Sequence, residues 1–266
     1  LLKNEGNILP LKKEGKIALI GPLADTRNNI AGTWSVAQTP EKYATIKEAM
    51  ENALKGKATL LYTQGCNIWR NRQLQKNGEF DKPLNWGDEN ELKKEALKIA
   101  KEADVIVCAM GESADMSGEC GSRTNLEMPD VQHELLAELV KLGKPVVLLN
   151  FAGRPTVLSW EKQYVPAIMN VWFGGSEMGD ALCDVIFGDK VPSGKLTTSM
   201  PKTTGQAPIY YNHQNTGRPV PDDNKEFAKY ASNCLDVSNG PLYPFGYGLS
   251  YTTFEYSNFR LSSQEA

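Results

Sequence analysis

The strongest constraint on the fold is a regular alternation of short apolar runs with amphipathic stretches that continues to about residue 187. The apolar runs lie at residues 16–21 (KIALIG), 57–63 (KATLLYT), 104–110 (DVIVCAM), 145–151 (PVVLLNF) and 167–173 (AIMNVWF). Between them the apolar period changes to that of a helix. Residues 45–54 carry Ile46, Ala49, Met50 and Ala53 on one stripe, and residues 89–102 carry Leu92, Ala96, Ile99 and Ala100. A third helix is predicted over 129–142, with Pro129 suited to its first turn. A fourth is predicted over 176–187, opened by Ser176 as cap and turning Met178, Leu182, Val185 and Ile186 inward. Strands that are apolar throughout must be covered on both faces, and strands that alternate with helices form a mostly parallel sheet. The predicted fold is therefore a three-layer α/β/α sandwich. Such sheets take ligands outside the carboxyl ends of their strands, so chemistry is sought in the loops that follow the strands.

Two of those loops are longer than the usual 2–6 residues. Residues 64–88 carry Trp69 and Trp86 among Arg70, Arg72 and Lys76, and residues 111–128 read GESADMSGECGSRTNLEM. Beyond about residue 200 the alternation stops. Residues 201–258 are rich in Pro, Gly, Asn and Tyr, which suggests a segment wrapped around the sandwich rather than a second core. Lys and Arg total 29 against 32 Asp and Glu, a net charge of −3 without a basic stripe, which argues against a nucleic-acid partner. No apolar run approaches the ~20 residues needed to cross a bilayer. The five cysteines (Cys66, Cys108, Cys120, Cys183, Cys234) are odd in number and contain no CxxC pair, so they are read as free, mostly buried thiols. No stretch of the given sequence reads as a signal peptide, so the compartment is not legible from it; the first residue is Leu1 and the first methionine Met50, so the chain is expected to be a piece of a longer protein.

Several familiar motifs fail. Gly188 to Leu196 imitates a phosphate loop, but five residues separate its glycines and Leu196 stands where a magnesium-binding hydroxyl belongs. Gly174-Gly175-Ser176-Glu177-Met178 imitates a nucleophile elbow, but Met178 replaces the glycine that lets the backbone turn. No GxGxxG follows a strand. His133 falls on the side of its helix away from Val131, Leu135 and Leu139, as a solvated histidine would. No His, Cys and carboxylate cluster has metal-ligand spacing, and neither a metal nor a cofactor is expected.

The loop 111–128 remains. It gathers Glu112, Asp115, Glu119 and Glu127 with Gly118, Gly121 and Arg123 just past a buried strand. A general acid must be fixed in place yet keep its proton near neutral pH, which partial desolvation or a neighbouring carboxylate can arrange. Glu119, displayed among small residues at the loop tip, is the best-placed candidate. Arg123 is suited either to anchor the loop or to bind a hydroxyl-rich ligand through its planar fork. Composition alone is also satisfied by an acidic, solvated loop.

The segment from Met110 through Ser117, Glu119, Ser122 and Arg123 to Pro129 and Gln132 resembles the acid/base loop of glycoside hydrolase family 3, the β-glucosidase family. Other blocks agree, in the family's order and over nearly the whole chain. LLKNEGNILPL at 1–11 resembles the linker that leaves the family's catalytic barrel, and GTWS at 32–35 an early loop of its second domain. The blocks at 174–196, 209–219 and 241–253 are similar to later ones.

The resemblance implies a retaining, exo-acting β-glycosidase divided between domains. An N-terminal (β/α)8 barrel supplies an aspartate nucleophile, and the α/β sandwich supplies an acid/base glutamate, here Glu119. The expected organisation is a linker at 1–15, the sandwich with its wrapping segment at 16–257, and the start of a further linker at 258–266. The fragment alone is expected to be inactive. The implied partners are an oligosaccharide or glycoside substrate and the barrel, with a periplasmic or secreted location suggested by the resemblance only. Trp34, Trp69 and Trp86 are candidate sugar-stacking rings or structural tryptophans. His213, near Asn212 and Arg218, is a candidate substrate contact or loop-ordering group. Phe245 to Tyr251 would fix the C-terminal segment to the sandwich. A non-catalytic carbohydrate-binding domain is the alternative, and the failed phosphate loops disfavour a nucleotide-binding enzyme.

Overall fold

The computed structural model describes every residue except 36, 80–82, 216, 221–223, 225 and 264–266. Its framework is a six-stranded sheet of β1 (Lys3–Asn4), β2 (Lys16–Ile20), β3 (Thr59–Thr63), β4 (Val105–Gly111), β5 (Val146–Phe151) and β6 (Ala167–Asn170). The spatial order is β1-β6-β5-β4-β2-β3. β2 to β6 run parallel, and β1 lies antiparallel on β6 at the edge.

Side-chain alternation along each strand divides the core. Ile17, Leu19, Val107, Ala109, Val147 and Leu149 face one layer, in which α1 (Ile46–Leu54) and α6 (Met178–Ile186) bury Met50, Leu54, Leu182 and Ile186. Ala18, Ile20, Ile106, Cys108, Val146 and Leu148 face the other, covered by α3 (Glu89–Glu102) and α4 (Asp130–Val140) through Ala96, Ile99, Leu135 and Leu139. Apolar residues at both parities leave neither face open to water, which is why the strands read as continuous hydrophobic runs. The predicted α/β/α sandwich is the observed fold.

Local signals explain the boundaries. Thr45 caps α1 in a full capping box with Glu48, and Asp88 caps α3 through the amides of Asn90 and Glu91. The wrapping segment docks through backbone and tyrosine hydroxyls: Met200 and Tyr243 form an antiparallel bridge, the Tyr247 hydroxyl donates to the Leu2 carbonyl (3.1 Å), and the Tyr251 hydroxyl donates to the Val185 carbonyl (2.7 Å). Phe245 instead stays half exposed and stacks on Tyr211, with 4.3 Å between centroids. Residues 1–15 add β1 and bury Leu2, Leu9 and Leu11 in the core.

The fold departs from the sequence reading in four places. Two short helices, α2 (Arg72–Asn77) and α5 (Ser159–Tyr164), lie where only loop was expected, because each is barely a turn and a half and has no repeating apolar stripe. β6 stops at Asn170, since Trp172 adopts a left-handed φ of 52° that turns the chain out of the sheet. Ser176 does not cap α6. It is exposed in a turn after the left-handed Gly175, and helical geometry begins only at Met178, with Glu177 in the cap position and no side-chain cap bond. His133 is not simply solvated: it meets Trp160 edge-on at 4.7 Å and places Nδ1 3.4 Å from the buried Glu161 carboxylate, because α5 packs over this side of α4.

Two predictions concern this framework. Gly111 ends β4 at φ 131°, and an added Cβ would stand 2.1 Å from the Phe151 carbonyl oxygen. Gly111→Ala is expected to cost about 3 kcal/mol or more of stability, from a forbidden φ together with backbone overlap, read as a fall in the urea midpoint. The hydrogen bond to Glu161 raises the His133 pKa above its usual 6.5. The folded imidazole then holds its proton more tightly than the unfolded one, so the pair's contribution is complete below about pH 6.5 and fades as pH climbs through the raised value. His133→Gln should therefore lower the melting temperature at pH 6 more than at pH 9.

Candidate active site

β3 is laid outside β2, whereas β4, β5 and β6 are added on the opposite side, so the direction of winding reverses between β2 and β4. The crevice outside the carboxyl ends of strands at such a point is where open α/β sheets take ligands. The loops leaving β2 and β4 meet there. Asn29 accepts the Ala114 amide proton (2.9 Å), and Thr33 donates to the carbonyls of Ala114 and Ser117, the latter at 2.9 Å.

The root of the β4 loop is pinned by Gln132, which is fully buried on α4. Its side-chain oxygen accepts from the Gly111 amide (2.8 Å), and its nitrogen donates to the carbonyls of Gly111 (2.9 Å) and Ile68 (3.1 Å). Beyond the root lies Glu112, whose side chain is 1% exposed. Its carboxylate meets Arg123 Nη1 at 2.8 Å and Arg154 Nε at 3.0 Å, and it accepts the Gly153 amide at 3.1 Å. Arg154, from the loop after β5, extends Nη2 to the carbonyls of Met116 and Gly121. A buried charge is tolerated when it is paired and hydrogen-bonded, and Glu112 meets both conditions.

The tip rises from this base. The Gly121 amide donates to the Gly118 carbonyl (3.2 Å), closing a four-residue turn with Glu119 and Cys120 at its apex. Gly118 (φ 100°) and Cys120 (φ 59°) take left-handed conformations on either side of Glu119. The Glu119 carboxylate is exposed, and among the described residues it has no side-chain hydrogen bond or ion pair. Trp34, 69% exposed, lies against the tip: a Cβ at Gly118 would come within 3.3 Å of its indole nitrogen.

The other candidates divide. Arg123 is held inward by Glu112, by the Glu127 carbonyl (2.8 Å) and by the Trp69 ring, 5.2 Å from its guanidinium carbon, so it anchors the loop. Trp69 is half-buried against the core, with Arg123 over its ring. Trp86 carries Arg72 over its ring at 4.8 Å. His213 is exposed in a different place, a cleft of about 730 Å³ whose lining, including Tyr210, Tyr211 and Phe245, comes from residues 199–245 and none from the Glu119 loop. Sequence reasoning missed Arg154 and the central place of Glu112. The signal was the Gly153-Arg154-Pro155 sequence directly after β5, at the same carboxyl end as the acidic loop. Cys66, Cys108 and Cys183 are buried, which pushes their thiols up, that of Cys183 to about 12, whereas Cys120 and Cys234 are exposed. Among the described residues, no three His, Cys, Asp or Glu side chains are grouped to hold a metal ion, and no helix is long and apolar enough to cross a membrane.

The model of the glycosyl hydrolase family 3 C-terminal domain matches residues 1–251. The chain belongs to this family. Among curated relatives, this family 3 domain is 44% identical over 272 residues to a periplasmic β-glucosidase of Salmonella typhimurium, covering 99% of the chain and 34% of that protein. It is 34% identical over 270 residues to a β-xylosidase of Formosa agariphila, again covering 99% of the chain and 34% of the relative. A β-glucosidase of Listeria innocua, solved in complex with isofagomine, superimposes with a TM-score of 0.80 at 36% identity, over 96% of this chain and 32% of that one. The family 3 domain thus spans about a third of the length of the relatives it matches.

The pairing of Glu112 yields a prediction. Glu112→Ala leaves two arginines facing each other without their shared anion. It should lower stability by about 3 kcal/mol, the low end for breaking a buried pair because Arg154 is partly exposed. Urea unfolding of the purified chain measures this.

Proposed function

We propose that this family 3 domain supplies the general acid/base of a retaining, exo-acting β-glycosidase. The enzyme would remove terminal non-reducing β-D-glycosyl residues from oligosaccharides or glycosides. The attacking aspartate would lie on a (β/α)8 barrel of the same full-length protein. The reading rests above all on one observation: Glu119 stands exposed at the apex of a braced turn, and its carboxylate is unpartnered among the described residues. Its neighbours are engaged, Glu112 by two arginines and Glu127 by Asn125 at 3.3 Å.

Retaining hydrolysis needs two carboxyl groups about 5–5.5 Å apart. In the first step Glu119 gives its proton to the leaving glycosidic oxygen as the C–O bond breaks and the aspartate bonds to the anomeric carbon. In the second, Glu119 takes a proton from water, which attacks the same carbon and releases the sugar with its configuration retained. Trp34 beside the tip offers a ring for the apolar face of a pyranose. The β-glucosidases and the β-xylosidase among the relatives support a β-glycoside as the bond cut. A periplasmic location is carried over from the Salmonella typhimurium relative. With half of the carboxyl pair, the domain by itself is inactive on this reading.

The test uses the full-length enzyme. Glu119→Ala should lower kcat/KM for glycosides with poor leaving groups by about 10²–10⁴-fold, the range ascribed to general acid catalysis, and spare activated aryl glycosides. Added azide should raise turnover of the activated substrate by replacing water as nucleophile. Wild-type behaviour of Glu119→Ala on a disaccharide substrate would refute the assignment.

A further inference from the structure

We propose that Arg154 is the positioning residue that aims Glu119, a step that rests on the acid/base reading of Glu119. The argument is geometric. Glu119 sits on a turn with Gly118 and Gly121 at its ends, and glycine leaves the backbone the most freedom to lose. The turn therefore needs support from outside. Thr33 holds the incoming leg at the Ala114 and Ser117 carbonyls, and Arg123 closes the root on Glu112. Among the side-chain hydrogen bonds described, those of Arg154 span both legs: Nη2 bonds the Met116 carbonyl before the apex and the Gly121 carbonyl after it, while Nε rests on the Glu112 carboxylate. A single guanidinium from a different strand's loop thus fixes the width of the loop and ties it to a buried anion.

The chemistry requires arginine. The planar guanidinium presents rigid donors in several directions at once, so one side chain can serve a carboxylate and two carbonyls together. A lysine ammonium is a point charge on a flexible stem. It can retain the attraction to Glu112 but cannot hold both carbonyls from the same position. Proton transfer is sensitive to placement of the acid at the scale of about 0.5–1 Å, so slackness here should appear in the step that uses the proton. The contacts of this strap all lie within the present domain, so a step that does not use the proton of Glu119 should be spared.

The experiment is Arg154→Lys in the full-length enzyme, with kcat/KM measured on a glycoside with an alkyl or sugar leaving group and on a dinitrophenyl glycoside. The expected result is a loss of about 10–100-fold on the first and under about 3-fold on the second. In a Glu119→Ala background, Arg154→Lys should add almost nothing on the poor substrate, because residues acting through one another are not additive. Equal losses on both substrates, no loss on either, or losses that multiply in the double variant would each overturn the proposal. Should Arg154→Lys not fold, Glu112→Gln loosens the same guanidinium and is read against the same pattern. Failure of the two readings is separable. If Glu119→Ala shows no leaving-group dependence, the acid/base assignment falls and takes the strap with it. If Glu119→Ala shows the dependence and Arg154→Lys matches wild type, the strap alone is lost.

Discussion

The carboxylate of Glu112, nearly sealed from solvent between two guanidinium groups, is the interaction on which the candidate site depends. An unpaired charge at this depth would cost several kcal/mol, so the pair cannot be partly made. Either both arginines and the Gly153 amide arrive, or the loop does not adopt this form. The three groups come from the far leg of the acidic loop and from the loop after β5. Satisfying one buried anion therefore brings two loops together and shapes the platform beneath Glu119. The cluster contributes less through net stabilisation, which desolvation offsets, than through the single arrangement it permits.

That cluster is itself positioned by the sheet. β4 is central, paired with β2 on one side and β5 on the other, and its last residue is fixed by the close approach of Gly111 to Phe151 and by the buried amide of Gln132. The strand end has almost no freedom, so the first residue beyond it, Glu112, leaves the sheet in a defined direction. The loop after β2 reaches across the switch point to support the same structure from the other flank, through Asn29 and Thr33. Rigidity thus passes from packed strands to a buried ion cluster to an exposed turn, in decreasing order of burial.

The layered fold was legible because burial on both faces writes an unbroken apolar run, and a stripe such as Ile46, Ala49 and Met50 fits the period of a helix and not that of a strand. Short elements were not, since α2 and α5 hold too few residues to establish a period. Ser176 has the right residue type for a cap, but left-handed turns at Trp172 and Gly175 delay the helix, and only tertiary structure reveals that. The exposed tip was legible at Glu119 because small residues and acids cluster around it. Arg154 was missed because two of its three partners are backbone carbonyls, which every residue carries, and the third, Glu112, lies on another strand's loop; only its place after β5 marked it. For Arg123 the sequence offered a ligand contact or an anchor, and the 2.8 Å pair with Glu112 supplies the anchoring contact, a partner no local pattern named.

A contrast remains between the base of the loop and its apex. Nearly every polar group below Ser117 and Gly121 is satisfied inside the domain, whereas Glu119 and Trp34 face outward. A general acid works best where water is scarce and a proton acceptor lies within hydrogen-bond reach. On the proposed reading, the domain does not build that environment around Glu119 itself. On that reading it builds stiffness, and the desolvating surface would come from the substrate and from the barrel. In such a division of labour the loop is ordered in advance, as part of the folding of this domain, so that docking needs only to cover a carboxylate already held in place. A loop ordered only on docking would have to draw the same entropy from substrate binding.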